Sequence, residues 1–136
     1  MSLDPRAERF LASHTRTFLV TLRPDGAPAC HPMVGLWRDG ALWMNTYRKS
    51  AKARNIRVES RVACVVMTDD GVGTPTGVVL RGQAEFVEMD VPRAPRNAAA
   101  PVGRDVVDLV SARVAEGKRV VFRVVPDETR LFGDHG

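Results

Sequence analysis

Two cysteines in 136 residues are too few for a disulfide framework, and neither C-x-x-C spacing nor nearby paired histidines suggest a zinc site. Cys30 and Cys64 stand in separate apolar segments without C-x-x-C spacing, and both read as buried free thiols. No apolar run approaches the roughly 18 residues of a membrane span, and residues 1–9 carry no apolar signal core. The expectation is a cytoplasmic protein with no membrane partner. Neither a G-x-S-x-G elbow nor an H-E-x-x-H helix occurs, so hydrolytic-nucleophile and zinc readings have no sequence support. Asp69 and Asp70 beside Gly71 lack the further oxygen ligands of a cation loop and read as a turn.

What is present suits one folded domain over residues 1–136, because hydrophobic residues at 44% and charged residues at 26% can build a single core and a wet surface. Asp4-Pro5 is a helix start, with Phe10 and Leu11 giving the following stretch, to about His14, an apolar side. Residues 17–23, the turn Pro24-Asp25-Gly26, residues 27–37, the turn Arg38-Asp39-Gly40 and residues 41–46 predict a three-stranded antiparallel meander. Pro28 and Pro32 have no N–H for a ladder, which places the middle strand partly at an edge, at a bulge, or toward a ligand. Ser50 caps a helix reaching about Val58, with Ala53 and Ile56 inward. Residues 61–68 and 77–89 read as strands, the second with Val78, Leu80, Ala84 and Phe86 on one face and Arg81, Gln83 and Glu85 on the other. A loop is predicted at 69–75, a mobile connection over 91–102, a helix marked by Val107, Val110 and Val114 and stopped at Gly117, and a last strand at 118–125. Short sequential strands with few helices make the chain mainly β within the α+β class, as a small antiparallel barrel or comparable sheet.

The net charge of +4 is unevenly spread. Arg48, Lys49, Lys52, Arg54, Arg57 and Arg61 face one acid, Glu59, which puts +5 in that stretch and −1 over the remainder. A local cluster of this kind implies an anionic partner. A helix N-terminus is itself positive and normally attracts acidic residues, yet Lys49 and Lys52 flank this one. Each such cation costs roughly 0.3–1 kcal/mol unless an anion offsets it. A phosphate would accept from the Ser50 hydroxyl, the helix N–H groups and Lys52, with Arg48 or Arg54 adding a forked contact. On charge pattern alone, a solvated basic helix without ligand remains open. Nucleic acid ranks below both, because apart from Tyr47 the stretch has no interleaved stacking aromatic.

The ordered set Thr21-Leu22-Arg23-Pro24-Asp25-Gly26-Ala27-Pro28, His31-Pro32-Met33-Val34, Thr46, Ser50-Ala51-Lys52-Ala53-Arg54-Asn55-Ile56 and Arg61-Val62-Ala63 resembles the pyridoxamine-phosphate-oxidase-like split-barrel superfamily. Within it the order is most similar to the actinobacterial flavin/deazaflavin oxidoreductases. The resemblance implies an antiparallel split β-barrel with a few short helices, and a homodimer with the cofactor in a groove between subunits. It puts phosphate binding on Ser50, Lys52 and Asn55, with Thr46 and Arg54 beside them, and the cofactor ring against Pro32, Met33 and Val34. Many relatives carry arginine where Ser50 stands, a place that Arg48 or Lys49 would fill. The implied activity is an oxidoreductase passing a hydride between the cofactor and a small conjugated or unsaturated substrate, which needs no dedicated acid–base dyad. Coenzyme F-420 is the preferred cofactor, its polyglutamate-bearing phosphodiester tail suiting so basic a cluster, and FMN is the alternative. A second class is a non-catalytic carrier of flavin, haem or tetrapyrrole. His31 could touch the ring or a substrate but reads first as a hydrogen-bonded barrel histidine, and Trp37 and Trp43 could stack on a cofactor, with core or dimer-interface packing at least as good an account.

Overall fold

A computed structural model of the chain describes residues 3–68, 73–87 and 117–136. Helix α1 (Pro5–Ser13) starts where Asp4 Oδ1 accepts the Arg6 N–H at 2.9 Å, and it buries Ala7, Phe10 and Leu11. Strands β1 (Arg16–Leu22), β2 (Pro28–Val34), β3 (Leu36–Arg38) and β4 (Ala41–Tyr47) follow, then α2 (Ala51–Val58), β5 (Arg61–Met67), β6 (Gly77–Val87) and β7 (Arg119–Phe132). Asp39 and Gly40 both have positive φ, 51° and 75°, as the tight β3–β4 hairpin turn demands.

The strands form one sheet in the order β2-β1-β5-β6-β7-β4-β3, all neighbours antiparallel. The three-stranded meander expected from the sequence does not form. The segment 27–37 breaks at Gly35, whose N–H bonds Thr15 O at 2.9 Å, so β2 pairs with β1 at one end of the sheet and β3 pairs with β4 at the other. Each half keeps its own hairpin partner. Pro28 and Pro32 do put β2 at an edge, where their missing donors cost no ladder bond. The last strand outruns the expected end at Val125, because a bulge between Arg81 and Gly82 lets β7 pass Pro126 and continue beside β6 to Phe132.

Inward residues alternate as a half-wet sheet requires, and Leu19, Leu42, Val66, Val78, Leu80, Phe122 and Val124 are fully buried. Phe86 departs from its expected inward row: it is part-exposed, with the Arg57 guanidinium 5.2 Å from its ring centroid. Helix α1 packs on β3, β6 and β7, whereas α2 packs on β1 and β4 and so spans the two halves of the split sheet. Cys64 is buried as expected, which pushes its thiol up to about 12. Cys30 is exposed, contrary to expectation, because edge-strand alternation turns it outward with Pro32 and Val34. The segment 91–102 and the helix marked by Val107 to Val114 lie outside the described residues, as do Asp69 and Asp70.

Candidate functional site

The link from β4 into α2 is built by short polar contacts. Thr46, buried at the end of β4, shares a 3.0 Å hydrogen bond with Ser50 Oγ, and Ser50 Oγ accepts the Ala53 N–H at 3.2 Å. Ser50 is therefore the helix cap that its sequence position predicts, and it leaves the Ala51 and Lys52 N–H groups as the open donors of the first turn. No acidic residue occupies that turn. The positive end of the helix is unopposed from within the helix.

The cations of the cluster divide by how they are held. Arg61 is paired with Glu59, Arg57 donates to Arg48 O at 3.0 Å, Arg54 donates to Lys49 O at 3.0 Å, and Arg48 Nε donates to Gly117 O at 2.9 Å. These bonds fix the guanidinium groups while leaving each with further N–H donors. Lys49 is exposed and Lys52 half-buried, and neither has an ion pair or hydrogen bond among the described residues. A half-buried ammonium without a partner is the feature most in need of an anion.

Asn55 sits beneath this surface. It is buried, and its Nδ2 donates inward to Thr21 Oγ1 at 3.0 Å, which in turn lies 3.1 Å from His31 Nε2. The chain Asn55–Thr21–His31 thus ties α2 to β1 and β2. Of the residues predicted from sequence, Thr46, Ser50, Lys52 and Asn55 come together here, with Arg48 and Arg54 on the rim. Pro32, Met33 and Val34 do not share one face: Met33 packs toward the core, while Pro32 and Val34 are exposed on the opposite side of β2. The strand is linked to α2 one residue earlier and indirectly, from His31 through Thr21 of β1.

Burial first, and the Lys52 charge second, hold His31 below its ordinary value of 6.5. Around pH 6 the unfolded chain therefore binds more protons at this residue than the folded one. Stability contributed by the neutral ring is complete above the ordinary value and falls as pH drops through it toward the lower folded value. The denaturation midpoint is expected to drop between pH 7.5 and pH 5, and His31→Gln to flatten part of that drop; equal pH slopes in the two proteins would contradict it.

Sequence reasoning missed Thr21 and Arg119. The Arg119 guanidinium lies 4.2 Å from the Tyr47 ring centroid, donates to Asn45 Oδ1 at 2.6 Å, and keeps a buried Nε without a partner among the described residues. Register across β4 and β7 creates that contact, and no local signal announces it. Trp43 Nε1 donates to Arg38 O at 2.9 Å and Trp37 packs on the core, as packing residues do. A separate open cleft of about 390 Å³, lined by Arg6, Arg9, Phe10, His14 and His135 among others, shares no residue with the α2 entrance. Among the described residues no His, Cys, Asp or Glu group is arranged to hold a metal ion, and no helix is long and apolar enough to cross a membrane.

No curated protein matches the chain. Among solved structures it is similar to the conserved hypothetical protein Rv2991 from Mycobacterium tuberculosis, with 30% identity, a TM-score of 0.76, and coverage of 99% of this chain and 86% of that one. An F420 reductase is 25% identical with a TM-score of 0.70, covering 94% of this chain and 98% of the other. A heme binding protein from Mycobacterium smegmatis shares the fold at 21% identity and a TM-score of 0.78, over 99% of this chain and 57% of that one. The split β-barrel expected from the sequence is the fold of these proteins. A family model described as Pyridoxamine 5'-phosphate oxidase matches residues 3–133, a span that takes in both halves of the sheet and the basic helix between them, and the chain belongs to that family.

Proposed function

We propose that the chain is a flavin-type oxidoreductase that takes coenzyme F-420 in preference to FMN and passes a hydride between it and a small conjugated or unsaturated molecule. The observation that carries this reading is the α2 entrance: a serine-capped helix start with no acid in its first turn and a half-buried Lys52 that has no partner among the described residues. Those residues fit a phosphorylated tail. Ser50 and the first-turn N–H groups would hold its oxygens, Lys52 would neutralise its charge, and Arg48 and Arg54 would add contacts from the rim. The bound ring would supply the hydride chemistry, and the chain would position and shield it. The likeness to an F420 reductase supports the deazaflavin over FMN.

The site is proposed to work in a homodimer. Directly opposed residues Pro32, Phe18, Val65 and Val79 lay an apolar row across the outer face of β2, β1, β5 and β6. Cys30, Val20 and Ala63 form a second row beside it. An antiparallel sheet that faced only water would put polar residues there, so a second copy of the chain is the fitting cover.

Fluorescence titration of the purified protein with F-420 and with FMN tests the reading. Tighter binding of F-420, followed by oxidation of the reduced cofactor when a conjugated acceptor is added, is the expected result. Binding of FMN alone would transfer the assignment to FMN chemistry. Tight binding without turnover by any acceptor would mark a carrier, and no binding of either would reject the site.

A further inference from the structure

His31 reads from sequence first as a hydrogen-bonded barrel histidine, with contact to the cofactor ring or a substrate as the alternative, and one side of its ring is satisfied. The other side is where the structure carries further. Asn55 Nδ2 has only hydrogens to offer, so at 3.0 Å the Thr21 oxygen is the acceptor of that bond. Thr21 is fully buried, and its one remaining partner among the described residues is His31 Nε2 at 3.1 Å. Were Nε2 protonated, Thr21 would accept two hydrogen bonds and its own hydroxyl hydrogen would be stranded away from water, a costly arrangement. With Nε2 unprotonated, the hydroxyl donates to it, and the Thr21 oxygen, its hydrogen and Nε2 all have partners. Nε2 as an acceptor means a neutral ring with its proton on Nδ1. Nδ1 has no hydrogen-bond partner among the described residues, and the half-buried ring stands on the edge strand within reach of the Lys52 charge.

We propose that His31 is a further binding residue of this site, a neutral imidazole locked in its Nδ1–H tautomer by Thr21 and Asn55, and that it donates to an acceptor oxygen of the anionic group held by Lys52. The inference rests on the reading of the α2 entrance as an anion site. It adds a second kind of recognition to that site: Lys52 supplies charge, whereas His31 supplies a directed, uncharged donor that does not repel the neighbouring ammonium. It also gives Asn55 a positioning role, since its buried amide sets the direction of every hydrogen in the chain and touches no ligand itself.

The tautomer is read on the ligand-free protein by long-range 15N–1H correlation of the histidine rings. A His31 Nε2 resonance at the unprotonated position, which Thr21→Val shifts toward a tautomer average, is expected; a protonated Nε2 in the wild type overturns the lock. Binding is read by fluorescence titration with F-420 and FMN. His31→Phe is expected to weaken the preferred cofactor roughly three- to tenfold, and His31→Gln, which keeps an acceptor for Thr21 and a donor for the ligand, to stay within about twofold of wild type. Equal affinity in wild type and His31→Phe, with both folded by circular dichroism, overturns the binding role. Failure of the wild type to bind either cofactor overturns the parent reading and that role together, while the tautomer measurement still decides the lock by itself.

Discussion

Lys52→Glu is expected to weaken binding of the cofactor by about a hundredfold, with the denaturation midpoint nearly unchanged. A charge-assisted hydrogen bond to a phosphate is worth about 1.5–3 kcal/mol, which is roughly ten- to a hundredfold in affinity, and reversal adds repulsion to the loss. Lys52→Ala, which only removes the contact, is expected near the lower figure. The fold has little stake in this residue, because its ammonium has no partner among the described residues and the inward side of α2 is carried by Ala53, Asn55 and Ile56. Lys49→Glu serves as the comparison: the residue is equally charged but exposed, and its effect should be several-fold smaller. Titration of all three variants at two salt concentrations is the measurement. If Lys52→Glu binds as tightly as wild type, the Lys52 ammonium is not part of the proposed anion site.

The capped, acid-free helix start of the candidate site was legible in advance because its signals are local. A serine, a cation two residues later and an absent first-turn acid lie within one turn of helix, and capping chemistry acts over the same distance. The elements themselves were legible for the same reason, since alternation and turn residues mark β1, β4, β5 and β6 within a few residues. The pairing of β2 and β3 was not. Residues 27–37 read as one strand, and nothing inside that stretch records that β1 and β4 belong to opposite ends of the sheet; the break at Gly35 is a consequence of where β5 and β7 insert. Cys30 was misplaced on the same account, because its inward or outward sense depends on which neighbour sets the register. Arg119 and Thr21 stayed hidden because each acquires its role from a partner far along the chain, Asn45 and Tyr47 for the first, Asn55 and His31 for the second. Long-range register, rather than propensity, decided every one of these.

Gly82→Ala is expected to cost about 3 kcal/mol of stability. At the bulge, β7 crosses so close to β6 that a Cβ on residue 82 would lie 2.1 Å from Val125 O, 2.9 Å from Val125 C and 3.0 Å from Pro126 Cα. All three are main-chain atoms, so no side-chain rotation relieves the clash and the strand itself must move. Strand β7 cannot move freely: on its other side Val124, Arg123 and Phe122 pair with Leu42, Trp43 and Met44, and Phe122 is fully buried. The displacement would reach the link from β4 into α2 along the same strand. Arg119 opens β7 opposite Tyr47, and the adjoining Lys118 carbonyl accepts the Arg48 N–H at 2.8 Å. A lower denaturant midpoint, accompanied by weaker cofactor binding in whatever protein remains folded, is therefore the expected pair of results. Arg81→Ala next door is the control, since that side chain is exposed and its pairing with Glu128 lies on the surface, where substitutions change stability by about 0.5 kcal/mol or less. A midpoint for Gly82→Ala equal to that of Arg81→Ala would mean that β6 and β7 are not in the close register that carries β7 past Pro126.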